Sequence, residues 1–449
     1  MTKVTGGRSA VAVLTDANPR QGYKLAHEVN RNAGKWFGNL RPGACGTLLL
    51  VKVGFLALAQ AHQHLHWLPA ALELARRPGV KVDVLCPSRA GLGFIRSFDP
   101  KRSLRLIWTP ASWRDGLFEL PPRKRVHKRY GWLFRRYPIL VTTESTSVRL
   151  RRDPRFKSKL IRIRHGVGDA ATRIDDQRIR HFDLSLVGGE KDKSRLIASG
   201  LATEENCMVT GYAKFELVGP PPRIFADDRP IALYNPHSRP DLSSWFTQGA
   251  AMVRAMERME GWNFVVAPHV KLEGGPEIVS TSPQILIDRG SVRSIDMSYT
   301  QAASVYIGDS SSQVYEFLVQ PRPCIFINTH RVDWRDNEQY AHFELGQVIE
   351  DPEELPQALA RAEALQTKFE PAQRRAMAAS IARSPIPASR RQADAILEFA
   401  RTGNRRLAPT STPVTAARHA YQPQEEVYLR SRAEDGRNQP PAGAPDGRV

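Results

Sequence analysis

The sequence is poor in cysteine. Four occur in 449 residues, Cys45, Cys86, Cys207 and Cys324, and no two form a CxxC pair. That spacing supplies neither a disulfide framework nor a zinc site, and a reducing cytoplasm is the expected compartment. No apolar run reaches the roughly 18 residues that a spanning helix needs, so any membrane contact is expected to be peripheral, at the inner face of the membrane. The opening MTKVTGGRSAVAVLTDANPRQ lacks the apolar stretch of a secretory signal. No internal repeat is visible. Acidic residues are also short, with 46 Asp and Glu against 65 Lys and Arg, for a net charge of +19.

The excess is concentrated. Between Lys101 and His165, nineteen lysines and arginines face four acids, and the remainder of the chain is close to balanced. Such a block attracts an anionic surface: lipid head groups, nucleic acid or a polyanion. Its centre, PPRKRVHKRYGWLFRRY (121–137), interleaves cations with Tyr130, Trp132, Phe134 and Tyr137. On an interfacial helix these aromatics would enter the head-group region of an anionic membrane. The plainer alternative is a solvated basic helix covering a sheet. Nucleic acid is disfavoured because no recognised nucleic-acid module is present.

Apolar residues make up 41% of the chain, enough for large cores, and the length suits two or three domains. Residues 1–45 show little periodicity and read as a poorly ordered leader. From about 403 the chain is rich in Pro, Ala, Arg and Gln, which predicts a disordered tail. Between these ends strand-like and helix-like runs alternate. TLLLVKV (47–53), VKVDVLC (80–86), RLIWTP (105–110), ILVTTE (139–144), KLIRIRHG (159–166), DLSLVGG (183–189) and CMVTGY (207–212) form one series. VGPPPRIFADDRP (218–230) reads as a linker. PIALYNP (230–236), NFVVAPH (263–269), QILIDRG (284–290), ASVYIGDSS (303–311) and PCIFIN (323–328) form a second series, closed by helices at 351–369 and 371–384. The pattern predicts two parallel-sheet α/β domains, 46–218 and 230–400, facing a cleft. Ligands in such sheets bind beyond the carboxyl ends of the strands.

Chemistry-bearing residues fall at those ends. In GDSSSQVYEF (308–317) a strand ends at Asp309, and Ser310, Ser311 and Ser312 open a helix. Helix starts present free N–H groups and partial positive charge, so this turn is a candidate phosphate site. Glu316, one turn in, could accept hydrogen bonds from ribose hydroxyls. The same residues would also serve as a plain helix cap. His165 ends KLIRIR ahead of Gly166-Val167-Gly168-Asp169 and is a candidate base. His269 with Lys271 could face a phosphate, and His237 and Arg239 form a third polar loop. His62, His64 and His66 invite a metal reading, but the segment reads as a helix start, where residues two apart diverge. No carboxylate or cysteine lies close by in sequence, and no metal is expected.

RHGVGD (164–169), VTGYAKFE (209–216), LYNPHSR (233–239), VAPHVK (266–271) and GDSSSQVYEFLVQPRPCIFIN (308–328) together resemble the CDP-glycerol glycerophosphotransferase family of teichoic-acid primases and polymerases. The resemblance runs over about 45–400 and is clearest over 160–330. A more distant similarity extends to UDP-N-acetylglucosamine 2-epimerases and other GT-B sugar transferases. It implies a GT-B fold, a CDP-glycerol-like donor, a polymer or lipid-linked acceptor, and release of CMP. His165 would be the base, and His269, Ser311 and Ser312 would contact the donor diphosphate. Arg239 would add charge nearby. No metal or other cofactor would be obligatory. Four positions depart from the pattern. Arg164 replaces Trp before the HG pair, and His237 replaces Thr. Pro268 precedes His269 where the family has HP, and Ser310 replaces Tyr. A CMP- or UDP-linked sugar donor therefore stays open, as does a non-catalytic nucleotide-binding adaptor.

Overall fold

The computed structural model describes residues 51–112, 122–169 and 176–403. The leader at 1–45 and all but the first residue of the tail at 403–449 lie outside that range. The first lobe runs β1 (Val51–Leu56), α1 (Ala61–His64), α2 (Leu68–Ala75), β2 (Val80–Cys86), α3 (Arg89–Ser97), β3 (Arg105–Trp108), α4 (Arg123–Phe134), β4 (Ile139–Thr142), β5 (Lys159–Ile163), β6 (Leu184–Val187), α5 (Glu190–Ala198) and β7 (Cys207–Val209). The second runs β8 (Ile231–Asn235), α6 (Gly249–Glu257), β9 (Asn263–Val266), β10 (Ile285–Ile287), α7 (Ser298–Ala302), β11 (Val305–Gly308), α8 (Gln313–Phe317), β12 (Cys324–Ile327), β13 (Gln347–Ile349), α9 (Leu355–Ala360), α10 (Ala362–Ser380) and α11 (Ala388–Thr402).

Both sheets are wholly parallel. The first has the order β3-β2-β1-β4-β5-β6-β7 and the second β10-β9-β8-β11-β12-β13. Each reverses direction next to its first strand, which opens a crevice at the carboxyl edge. Central strands are apolar on both faces because helices cover both. Phe55 and Val141 pack on one side of the first sheet, and Leu56, Leu85 and Leu140 on the other. Strand β1 pairs Val53 with Val82 and with Ile139. Gly54 sits where a Cβ would meet Leu140 at 2.7 Å and the Tyr137 ring at 2.8 Å, so only glycine fits.

Two elements depart from the sequence reading. α10 runs through Pro371, where a break between two helices was expected. The last helix, α11, does not belong with 230–400. Ala393, Ile396 and Phe399 pack in the first lobe's core, and Arg77 bonds Asp394 at 2.9 Å. Its amphipathic period shows that it has a core face, but not which sheet that face covers. The chain crosses back at α10, whose end lies on the turn after β6. There the amide of Ala382 donates to the carbonyl of Gly188 at 2.9 Å. A Cβ on Gly189 would stand 2.4 Å from the carbonyl of Ala379.

The lobes meet at the carboxyl ends of both sheets. Val167 and Tyr212 of the first lobe lie in one apolar cluster with Val314, Tyr315 and Phe317 of the second. Two polar contacts flank it. Lys214 reaches both carboxylate oxygens of Glu316 at 2.7 Å, and the Tyr212 hydroxyl donates to the same group at 2.7 Å. Asp169 accepts from Lys191 at 2.8 Å and from the Tyr315 hydroxyl. Both carboxylates are buried.

Candidate functional site

Asp309 stands where the second sheet reverses order, between the ends of β8 and β11. Its buried carboxylate accepts from the amide of His237 at 2.7 Å, and from the amide and hydroxyl of Ser244 at 2.7 and 2.9 Å. The Ser310 amide donates to it at 2.7 Å. Asp309 therefore clips the two loops together. Burial pushes its carboxyl up to about 6, against the pull of these donors. The serine turn is packed rather than open. Ser310 and Ser311 are buried, and the Ser311 hydroxyl accepts from the Gln313 amide at 3.3 Å. Ser312 is half-buried against the glycine loop of the first lobe. A Cβ on Gly166 would come 3.2 Å from its hydroxyl, and one on Gly168 2.8 Å from its Cβ. Gly166 also has φ of +74°, a conformation that glycine adopts freely. The His165 loop and the serine turn thus touch, as only small residues permit.

Three histidines sit at strand ends around this junction, and their hydrogen bonds fix which ring nitrogen carries hydrogen. His165 Nδ1 lies 3.2 Å from the carbonyl of Thr143. A carbonyl only accepts, so Nδ1 bears the hydrogen and Nε2 keeps its lone pair. His269 Nδ1 accepts from the Lys271 amide at 3.1 Å, and His237 Nδ1 accepts from the Arg239 amide at 3.1 Å. Both are therefore N–H donors at Nε2. Burial lowers all three, to about 3 for His165 and His269 and about 4 for His237. Neighbouring cations add to this, Lys271 beside His165 and His269 and Arg239 beside His237, and His237 and His269 disfavour each other's protonation. At neutral pH the rings are uncharged. One offers a lone pair and two offer N–H groups.

Of the sequence candidates, His165, His237, His269, Lys271 and Ser312 come together. Arg239 does not: its exposed guanidinium pairs with Asp241, with Nε at 3.0 Å. Glu316 does not stand open to a ribose either, because Lys214 and Tyr212 occupy its carboxylate. Arg164, at the position where the resemblance leads one to expect Trp, turns to a buried pair with Asp192 at 2.8 Å.

The sequence reading passed over two members of the histidine run. His64 does turn into the core, its ring 5.5 Å from that of Trp67. His62 and His66, four residues apart, share the other side. His62 lies 5.8 Å from the His269 ring, and His66 lies 6.2 Å from His165 and 5.1 Å from Tyr212. The rule that residues two apart diverge was sound; the pair at i and i+4 was the missed signal. Among the described residues no group of histidines, cysteines and acids is arranged to hold a metal ion.

The basic segment is helical as α4, but its aromatics divide. Phe134 and Tyr137 are core residues, and Tyr130 is partly covered. Phe134 and Tyr137 cannot enter a head-group layer. Trp132 is 51% exposed, with the Arg136 guanidinium 4.9 Å from its ring centre, and Lys124 and Lys128 are exposed on the same helix. Among the described residues no helix is long and apolar enough to cross a membrane.

No protein-family model and no curated protein matches the sequence. Solved structures do match the fold. The wall teichoic acid polymerase TagF, in a variant soaked with CDPG, aligns at a TM-score of 0.55 and 12% identity over 86% of this chain and 99% of that one. A putative UDP-N-acetylglucosamine 2-epimerase from Listeria monocytogenes aligns at 0.52 and 15% identity, over 78% of this chain and 96% of that one. A further UDP-N-acetylglucosamine 2-epimerase aligns at 0.53 and 14% identity, over 81% and 99%. At these identities the likeness is one of fold, and the fold is the two-lobed GT-B type.

Proposed function

We propose that the chain is a transferase that moves glycerol phosphate, or a related polyol phosphate or sugar, from a nucleotide-activated donor such as CDP-glycerol. The acceptor is a hydroxyl of a cell-surface polymer or a lipid-linked precursor. The observation that carries this reading is the division of labour among the histidines: His165 presents a lone pair, while His269 and His237 present N–H groups beside Lys271. The sequence motifs and the TagF-like fold agree with it.

In this scheme the acceptor oxygen attacks the phosphorus that bears glycerol. A new O–P bond forms, the bond to the CMP oxygen breaks, and CMP leaves. The acceptor proton passes to Nε2 of His165. His269, His237 and Lys271 donate to the phosphate oxygens, with Ser312 at the same junction. Such transfer rests on positioning and on stabilising charge. Burial, more than the nearby cations, holds this imidazole near 3 and makes it a weak base; an anionic donor would offset the part that Lys271, Arg162 and Arg164 add. An open recess of about 520 Å³ beyond β10, lined by Asp288, Arg289, Arg293 and Tyr299 among others, offers room for a nucleoside. The exposed cations and Trp132 of α4 would hold the first lobe on an anionic membrane at its cytoplasmic face.

The test is turnover against binding. His165→Ala should lower transfer by roughly 10² to 10⁴, while CDP still raises the melting temperature. CDP should outperform UDP and GDP. Binding without turnover of any donor would make the chain an adaptor, and isomerised sugar nucleotide without an acceptor would make it an epimerase.

A further inference from the structure

The turn that follows β1 brings an imidazole to the site that neither the fold comparison nor the strand-end pattern assigns. His62 stands edge-on to His269 across the lobe boundary, with ring centres 5.8 Å apart. Its Nδ1 is buried and makes no hydrogen bond. A buried polar nitrogen with no partner carries a desolvation cost, and a ligand atom would relieve it. The same is true of Nδ1 in His64, but that ring packs against Trp67 and burial alone depresses it. His62 differs in its company. Beyond burial, the group acting most strongly on it is Lys271, followed by His269, His165 and His66, each of which can only disfavour a positive charge on His62. Those on His165 are Lys271, Arg162 and Arg164, and those on His269 are His237, Lys271 and Lys214. No carboxylate figures among them. On His237, Asp241 opposes Arg239, Lys271 and His342, and Asp309 accepts from its amide; around His62, His165 and His269 the converging groups can only be positive or neutral.

We propose that His62 is a substrate-contacting residue, completing from the first lobe the anion site that His269, His237 and Lys271 form from the second. This deepens the proposed function and rests on it. The ligand class is a diphosphate, held between the lobes rather than on the second lobe alone. His66, in the turn that follows α1, carries the line of imidazoles to His165, so one short segment spans from phosphate ligand to base. Bringing an anion among these neutral rings favours their charged forms, so binding draws a proton from solution, and His62 supplies part of that uptake.

The probe is inorganic pyrophosphate with the full-length protein, followed by calorimetry in two buffers of different ionisation enthalpy. The wild type should bind with proton uptake. His62→Ala should weaken binding about tenfold, as loss of a charge-assisted hydrogen bond does, and should reduce the uptake. His62→Asn, which keeps an N–H near Nδ1, should recover part of the affinity. His64→Leu should shift the melting temperature of the free protein and leave the dissociation constant unchanged. If His62→Ala binds within threefold of wild type while His269→Ala loses binding, His62 is not a ligand. Equal weakening in His64→Leu would assign the effect to packing and overturn the inference. Failure of the wild type to bind pyrophosphate would remove the phosphate-site reading, and this inference with it.

Discussion

The lock between Lys214 and Glu316 is the sharpest place to test how the lobes are held. The two residues are 102 positions apart in sequence, one in each lobe, and their side chains are 6% and 7% exposed. Lys214→Met keeps the aliphatic stem but leaves the carboxylate buried with only the Tyr212 hydroxyl. Removing one partner of a buried pair costs about 3–5 kcal/mol, chiefly through the stranded charge. For lobes of this size, about 2–4 °C per kcal/mol predicts a melting temperature lower by roughly 6–20 °C. Alternatively the lobes part, water reaches Glu316, and the loss appears as opening. Small-angle scattering would then show a larger radius of gyration at an almost unchanged melting temperature. Lys214→Met with Glu316→Leu removes both charges and should recover most of the loss, since apolar replacement of a buried pair is often neutral. The reasoning fails if Lys214→Met changes neither quantity, or if the double variant is as damaged as the sum of the single ones.

The remaining predictions concern acid and anionic surfaces. Burial holds His64 down to about 3, against 6.5 for a free imidazole. The unfolded chain therefore takes up the proton first, and this site's contribution is complete above pH 6.5 and falls as pH drops toward 3. The full span is worth at most about 5 kcal/mol, and His64→Leu should flatten the melting-temperature profile over that range. At α4, replacing Lys124 and Lys128 with Glu and Trp132 with Ala should abolish sedimentation with phosphatidylserine vesicles and leave the melting temperature unchanged. Retention of vesicle binding would place membrane contact elsewhere.

Both sheets were legible because a strand buried on two faces writes itself as an unbroken apolar run. VKVDVLC became β2 without adjustment. One edge strand was not: the three residues of β13 lie between Gly346 and Glu350-Asp351 with too little apolar pattern to stand out. Helix α3 was hidden by its two glycines, Gly91 and Gly93. The aromatics of the basic segment looked interfacial because Phe134 and Tyr137 recur among cations, and only the packing shows that they are core. The strand-end histidines were legible from position. The partners of Glu316 and the turn of His62 toward His269 were not, since each depends on a contact with the other lobe, far away in sequence.

That dependence explains the chemistry of the site. A second-lobe site made of ammonium and guanidinium groups would be costly to enclose, because burying like charges without counter-ions is strongly unfavourable. The acids nearby are already engaged: Glu316 with Lys214, Asp169 with Lys191, and Asp309 with the amides of His237, Ser244 and Ser310. Between them lie imidazoles, which burial leaves uncharged. A neutral imidazole still donates an N–H or accepts a proton, so the lobes can close over the site before any anion arrives. Under the proposed function an anion would bind where the surrounding protein excludes water, which strengthens each contact. The rings would then charge in response. Replacing His269 with Lys would invert this order: affinity for a phosphate should be kept by charge alone, but the free protein would have to hold its lobes apart.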